Sequence, residues 1–100
     1  MKRMILFITL SLSLGFSRKT VIKLATLAPE GTEWHGMLLS MGQEWKRISK
    51  KSVNLRVYPG GVVGDERDMV RKMRIGQIHA AAITTEGLTE IVPEFSAYYV

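Results

Sequence analysis

From residue 20 onward the apolar and polar positions fall into rhythms that change with each segment. Residues 20–27 (TVIKLATL) are rich in β-branched and apolar side chains and stop at Pro29 and Gly31, which predicts a first strand. Thr32 is placed to cap a helix that starts at Glu33. Trp34, Met37, Leu38, Met41, Trp45 and Ile48 then recur at helical spacing, predicting a single core-facing stripe that runs to about Lys50. Lys46, Arg47, Lys50 and Lys51 crowd the end of that helix, where its dipole favours cations. Residues 53–58 alternate, with Val53, Leu55 and Val57 on one face and Asn54, Arg56 and Tyr58 on the other. That pattern predicts a second strand with one wetter face, near the edge of a sheet.

The glycine-rich stretch PGGVVGDE (residues 59–66) leads into a second helix. Asp65 at the N-cap and Asp68 three residues on approximate a capping box, Glu66 sits in the first turn, and Gly76 is a ready terminator. Met69, Val70 and Met73 are expected to face inward, and Asp68 with Lys72 forms an i,i+4 pair. Residues 79–84 (HAAAIT) read as a short third strand whose alanines let a helix pack close over it. TEGLTEIVPE reads as a loop with one or two helical turns, stopped by Pro93. The order βαβαβ predicts an α/β fold, a parallel sheet with helices on its faces and right-handed crossovers.

The N-terminus has a different composition. Lys2 and Arg3 precede an uncharged, mostly apolar run at residues 4–14, and Gly15 and Ser17 supply small residues at the spacing a signal peptidase accepts. Eleven helical residues span roughly 16 Å, short of a ~30 Å hydrocarbon core, so the pattern predicts a signal peptide over residues 1–17 rather than a membrane span. Cleavage near Ser17 would export residues 18–100 to the periplasm. Loss of Lys2 and Arg3 lowers the formal charge from +5 to +3, an ordinary surface balance that argues against a nucleic-acid partner. There is no cysteine to staple the fold. The closing FSAYYV carries no cap, turn or polar tail, so the chain reads as a fragment or the product of a truncated gene.

Several chemistries fail on inspection. A phosphate loop needs a lysine and a Ser or Thr after its last glycine, whereas Gly64 is followed by Asp65 and Glu66, whose charges would repel a phosphate. His35 and His79 lie on different elements without metal-ligand spacing, so each reads as a structural or surface histidine, and no metal or cofactor is expected. No Ser/His/Asp order points to a nucleophile, and the chain is not expected to be an enzyme. What survives is topological. Ligands of open α/β sheets sit beyond the C-terminal ends of the strands, where strand order reverses. With strand one between the other two, the crevice lies between residues 28–32 and 84–88. The backbone at the start of the first helix, the Thr32 hydroxyl and Thr84 and Thr85 would address a polar or anionic solute there, with Trp34 as a wall.

Three stretches, IKLATLAPEGTEWH, GQEWKRIS and LRVYPGGVVGDERDMVRKMRIGQIHAAAITTEGLTEI, together resemble the DctP-type solute-binding proteins of TRAP (tripartite ATP-independent periplasmic) transporters. The most specific part is the succession of LATLAPEG, the YPGG-x-x-GDE loop and the MRIGQ helix end. The resemblance implies the N-terminal βαβαβ part of lobe one of a two-lobed periplasmic binding protein. Such a protein closes on a small solute, commonly a carboxylate such as a dicarboxylate, and hands it to membrane permease subunits driven by an ion gradient. Carried over by position, ligand contacts come from Ala28, Pro29, Glu30, Gly31 and Thr32, from Trp34, from Glu66, and from Thr84, Thr85 and Glu86. Glu66 rests on the resemblance alone. The arginine that clamps the carboxylate in that family lies in a later part of its members, as do the second lobe and the hinge. APEG and Trp34 depart from a plain C4-dicarboxylate binder and point toward a less polar acid or another solute. The alternatives are a fragment of a small secreted α/β enzyme and a truncated product without independent function.

Overall fold

The structure, a computed structural model, describes residues 18–98; the expected signal peptide lies outside the described residues. Three parallel strands, β1 (Thr20–Thr26), β2 (Val53–Tyr58) and β3 (Ala80–Ala82), form one sheet in the order β2-β1-β3. Between them run α1 (Glu33–Ile48) and α2 (Glu66–Arg74), followed by the single turn α3 (Thr85–Leu88) and a 3₁₀ helix at Pro93–Tyr98. The expected βαβαβ order, the parallel sheet and the edge position of β2 are all present. β1 is the central strand, and its Leu24, Ala25 and Thr26 are buried. The register sets Leu24 beside Val57 and Ala25 beside Tyr58, so consecutive residues serve opposite faces of the sheet.

On one face α2 supplies the core. Met69 is fully buried with Ala25 and Ile78, and Tyr58, Val63, Met73, Ala81 and Ile83 pack around them. The Met69 side chain anchors this cluster, where truncation to alanine costs about 2–5 kcal/mol. Asp65 caps α2 with the full reciprocal box: Asp68 N donates to Asp65 Oδ1 at 2.8 Å and Asp65 N donates to Asp68 Oδ2 at 3.2 Å. The Asp68 backbone N–H is the main cause that holds the Asp65 carboxyl below its ordinary value. Gly76, at φ +79°, follows the last helical residues, and Gln77 N and Gly76 N return to the carbonyls of Lys72 and Met73 at 2.9 and 3.2 Å. Asp68 does not pair with Lys72. It accepts from Arg71 at 2.7 Å, while the Lys72 ammonium donates to the Val63 carbonyl. Asp68 takes its i,i+3 partner instead, and the lysine reaches a loop carbonyl.

α1 covers the other face, but not with the stripe expected of it. Leu38, Met41 and Trp45 are half-buried, whereas Trp34, Met37 and Ile48 are 65%, 64% and 63% exposed. The cause lies at Gly42, where an added Cβ would stand 3.0 Å from Leu55 Cβ. The helix comes closest to β2 along that glycine, with buried His35 and half-buried Leu38 and Trp45 on the same side. This rotates Trp34, Met37 and Ile48 outward. The helix ends at Ile48, short of Lys50, because Lys50 and Lys51 take positive φ (55° and 68°). Lys51 N and Lys50 N close the end on Lys46 and Arg47 carbonyls at 2.7 and 3.2 Å. β3 is shorter than residues 79–84. His79 donates its N–H to the Lys23 carbonyl, but Lys23 N donates to the His79 ring Nδ1 at 2.9 Å rather than to a backbone carbonyl. At the far end Thr84 already stands at the N-cap position of α3, without a side-chain capping bond. Pro93 ends the preceding turns as expected and also opens the 3₁₀ helix, where its fixed φ is compatible.

Candidate functional site

The C-terminal ends of β1 and β3 open onto a groove of about 610 Å³, within the range of small-molecule sites. Thr26, Leu27 and Ala28 line it from β1 and its loop, Ala81, Ala82, Ile83 and Thr84 from β3, and Trp34, Glu66 and Leu88 from the helices. This is the switch point that the strand order defines: the chain crosses from β1 to β2 on one side and then back over β1 to β3 on the other. Of the residues expected at the site, Ala28, Trp34, Glu66 and Thr84 come together here. Thr26, Leu27, Ala81, Ala82, Ile83 and Leu88 were not singled out by sequence reasoning. The rule that ligands meet strand ends applied to the last residues of β1 and β3 would have found most of them.

Pro29, Glu30, Gly31 and Thr32 form the turn beside the groove without lining it, and their polar groups are largely engaged. Thr32 Oγ1 donates to the Pro29 carbonyl at 2.7 Å and accepts the capping bond from His35 N at 3.4 Å. Gly31, at φ +85°, donates its N–H to His35 Nδ1 at 3.1 Å. The buried His35 is therefore a structural acceptor that folds the turn back on α1. Both histidines have this kind of role, which agrees with the structural reading of each.

The glycine-rich loop supports the same end of the sheet. Gly60 and Gly61 adopt φ of +66° and +71°. Their N–H groups donate to the Ala28 and Thr26 carbonyls at 2.8 and 3.1 Å, extending the β1–β2 pairing past the last strand residues. Only a glycine adopts such consecutive left-handed positions without strain. The loop thus fixes the backbone on which Thr26 and Ala28 approach the groove.

Glu66 has the most constrained geometry in the site. It lies in the first turn of α2, is 6% exposed, and points at the corner where β3 passes into α3. Thr84 N donates to its Oε2 at 2.7 Å, Gly87 N donates to its Oε1 at 3.1 Å, and the Thr84 hydroxyl donates to the same Oε1. The carboxylate is paired at both oxygens, the condition under which a buried charge is tolerated. Gly87 is buried against it; a Cβ there would lie 3.0 Å from both Glu66 Cβ and Oε1. Two further bonds from α2 hold the same segment: Arg67 to the Glu90 carboxylate at 3.0 Å and Arg74 to the Glu90 carbonyl at 2.8 Å. Thr85 and Glu86 are exposed on α3, and Glu86 lines a neighbouring groove on the other side of Glu66, together with Asp65 and Arg67. Among the described residues no His, Asp and Glu cluster is arranged to hold a metal ion.

The profile of the DctP family, bacterial extracellular solute-binding protein family 7, matches residues 24–100. The chain belongs to that family. A solute-binding protein of Roseobacter denitrificans is 29% identical over 84 residues, covering 84% of this chain and 26% of the relative. Among solved structures, a TRAP periplasmic solute-binding protein of Citrobacter koseri with bound D-glucuronate is 31% identical. It superposes with a TM-score of 0.69 over 75% of this chain and 25% of that one. Another, from Desulfovibrio desulfuricans with bound sn-glycerol-3-phosphate, is 27% identical, with a TM-score of 0.70 over 78% and 25%. The chain therefore spans about a quarter of the length of these relatives. The family and these neighbours are extracytoplasmic solute-binding proteins and not enzymes, so the leading expectation of family and class holds.

Proposed function

We propose that residues 18–100 are the N-terminal part of lobe one of the solute-binding subunit of a TRAP-type transporter, exported behind a signal peptide at residues 1–17. The subunit captures a small organic acid and delivers it to membrane permease subunits without catalysis. The observation that carries this reading is the groove at the strand-order switch, which gathers Ala28, Trp34, Glu66 and Thr84 in a chain of this family. It is one wall of a cleft, and a second lobe supplied by the rest of the protein closes over it by a hinge motion. Ala28, Trp34 and Thr84 form the inner contacts, while Pro29, Glu30, Gly31, Thr32, Thr85 and Glu86 form the rim that a closing lobe meets. D-glucuronate and sn-glycerol-3-phosphate, bound by the two solved relatives, define the solute class to test first: small hydroxylated anions.

A thermal-shift screen of the complete gene product tests the reading, with D-glucuronate, D-galacturonate, sn-glycerol-3-phosphate and succinate as probes. A ligand at a hundred times its Kd adds about 2.7 kcal/mol to stability, enough for a clear rise in Tm. At least one of these acids is expected to raise Tm in a saturable way. Absence of any shift across the panel would refute an organic-acid binder.

A further inference from the structure

We propose that Glu66 is a positioning residue that fixes the Thr84 hydroxyl as a pure hydrogen-bond acceptor, so that the groove selects a solute hydroxyl at that point. This rests on the function proposed above and names the part of the solute that this lobe reads. A threonine hydroxyl has one proton and two lone pairs. Here the proton is committed to Glu66 Oε1 and the Thr84 amide to Oε2, so Thr84 has only lone pairs left to offer the groove it lines. A carboxylate or phosphate oxygen placed there would meet lone pairs with no proton between them. A hydroxyl supplies that proton.

The charge around Thr84 points the same way. Glu66 brings a negative charge to the groove wall, and among the described residues no Lys or Arg lines it. The remaining wall is mostly apolar, with Leu27, Ala81, Ile83 and Leu88. Like charge disfavours an anionic group beside the Glu66 carboxylate, and no cation on this wall offsets it. The solute's anionic end is therefore directed away from this wall, and its hydroxylated end is directed into it. Gly87 is part of the device, because the absence of a side chain lets the carboxylate reach under Thr84. The Arg67 and Arg74 bonds to Glu90 keep the α3 segment attached to α2 independently of Glu66, so a change at Glu66 can alter Thr84 without releasing the segment.

The test uses the complete gene product and isothermal titration with two kinds of acid. D-glucuronate, D-galacturonate and sn-glycerol-3-phosphate carry hydroxyl groups, and succinate carries none. The parent protein is expected to bind the best of the hydroxylated acids more tightly than succinate. Thr84→Val is expected to weaken that acid by roughly threefold to tenfold, the range of one hydrogen bond, and to leave succinate within about twofold. Thr84→Ser, which keeps the hydroxyl, restores the preference. Glu66→Gln narrows the preference like Thr84→Val, and adds nothing to it in the Thr84→Val background. A preference unchanged by Thr84→Val overturns the proposal, as do equal losses for both kinds of acid or additive effects of the two changes. Tighter binding of succinate than of every hydroxylated acid also overturns it, while leaving the organic-acid function standing. No binding of any acid by the parent overturns that function and the proposal with it.

Discussion

Two glycine-to-alanine changes should move stability in opposite directions, and the contrast isolates the contact between α2 and α3. Gly36 lies in α1 with nothing within 4 Å of the Cβ it lacks. Gly36→Ala therefore gains helix propensity without a packing cost, and should stabilise by about 1 kcal/mol. Gly87 also lies in a helix, but its Cβ would meet Glu66 Cβ, Glu66 Oε1 and Ile83 Cβ, each at 3.0 Å. Neither Cβ is the loose end of a flexible chain, so backbone or helix must shift. Overpacking of this kind costs roughly 1–3 kcal/mol. Moving Glu66 off Gly87 N weakens a charge-assisted bond, which adds about 1 kcal/mol or more. Propensity returns at most ~1 kcal/mol, and less in a single-turn helix. The net expectation is a loss of about 2 kcal/mol, some 3 kcal/mol below Gly36→Ala. Urea unfolding followed by far-UV circular dichroism measures this, with the two midpoints about 1 M or more apart at a small-protein m-value. If Gly87→Ala is as stable as the parent, the close seating of Glu66 under the β3–α3 corner is refuted.

Three further outcomes follow from local geometry. Gly64→Ala places a Cβ 2.7 Å from Asp68 Cβ and Oδ2 at a φ of +126°; it should lower stability by about 2 kcal/mol or more and free the Asp65 N–H, read by amide exchange at that residue. The Asp65 carboxyl has a folded-state pKa below its ordinary 3.8, because Asp68 N donates to it. Its contribution is therefore complete above the unfolded value of 3.8 and is lost as pH falls through the lower folded value. Asp65→Asn, which still caps, should flatten that part of the acid-unfolding profile; an unchanged acid limb would contradict the capping assignment. Lys50, at φ +55° where a glycine is normally found, should tolerate Lys50→Gly with a gain of up to about 1 kcal/mol, and a loss in a urea titration would show that its side chain matters more than its backbone.

Where sequence and structure agree, the determinants are local. Thr32 and Asp65 cap their helices through side chains three residues from their targets, Gly76 ends α2 by its left-handed backbone, and the alternation at Val53–Tyr58 gives β2 its exact limits. The switch-point rule located the groove because it depends only on strand order. The misreadings share another cause. The apolar residues of α1 cover more than one face, and the buried side was chosen by the close approach of Gly42 to Leu55, a contact between elements. β3 is short because at one end a histidine ring takes the Lys23 N–H and at the other Thr84 already begins the next helix. Glu66 was singled out by resemblance, but its partners lie 18 and 21 residues away, beyond any local pattern. The one hint in the sequence was the glycine at position 87, inside a predicted helical turn.

The central claim is that the groove between the ends of β1 and β3 receives the solute. Titration of the ¹⁵N-labelled complete gene product with the tightest acid of the panel tests it most directly. The account predicts shifts concentrated at the Ala28, Thr84 and Gly87 amides and the Trp34 indole, with the Lys50–Lys51 turn at the opposite end of the sheet unmoved. Saturable binding that leaves those four signals in place and moves others would contradict it.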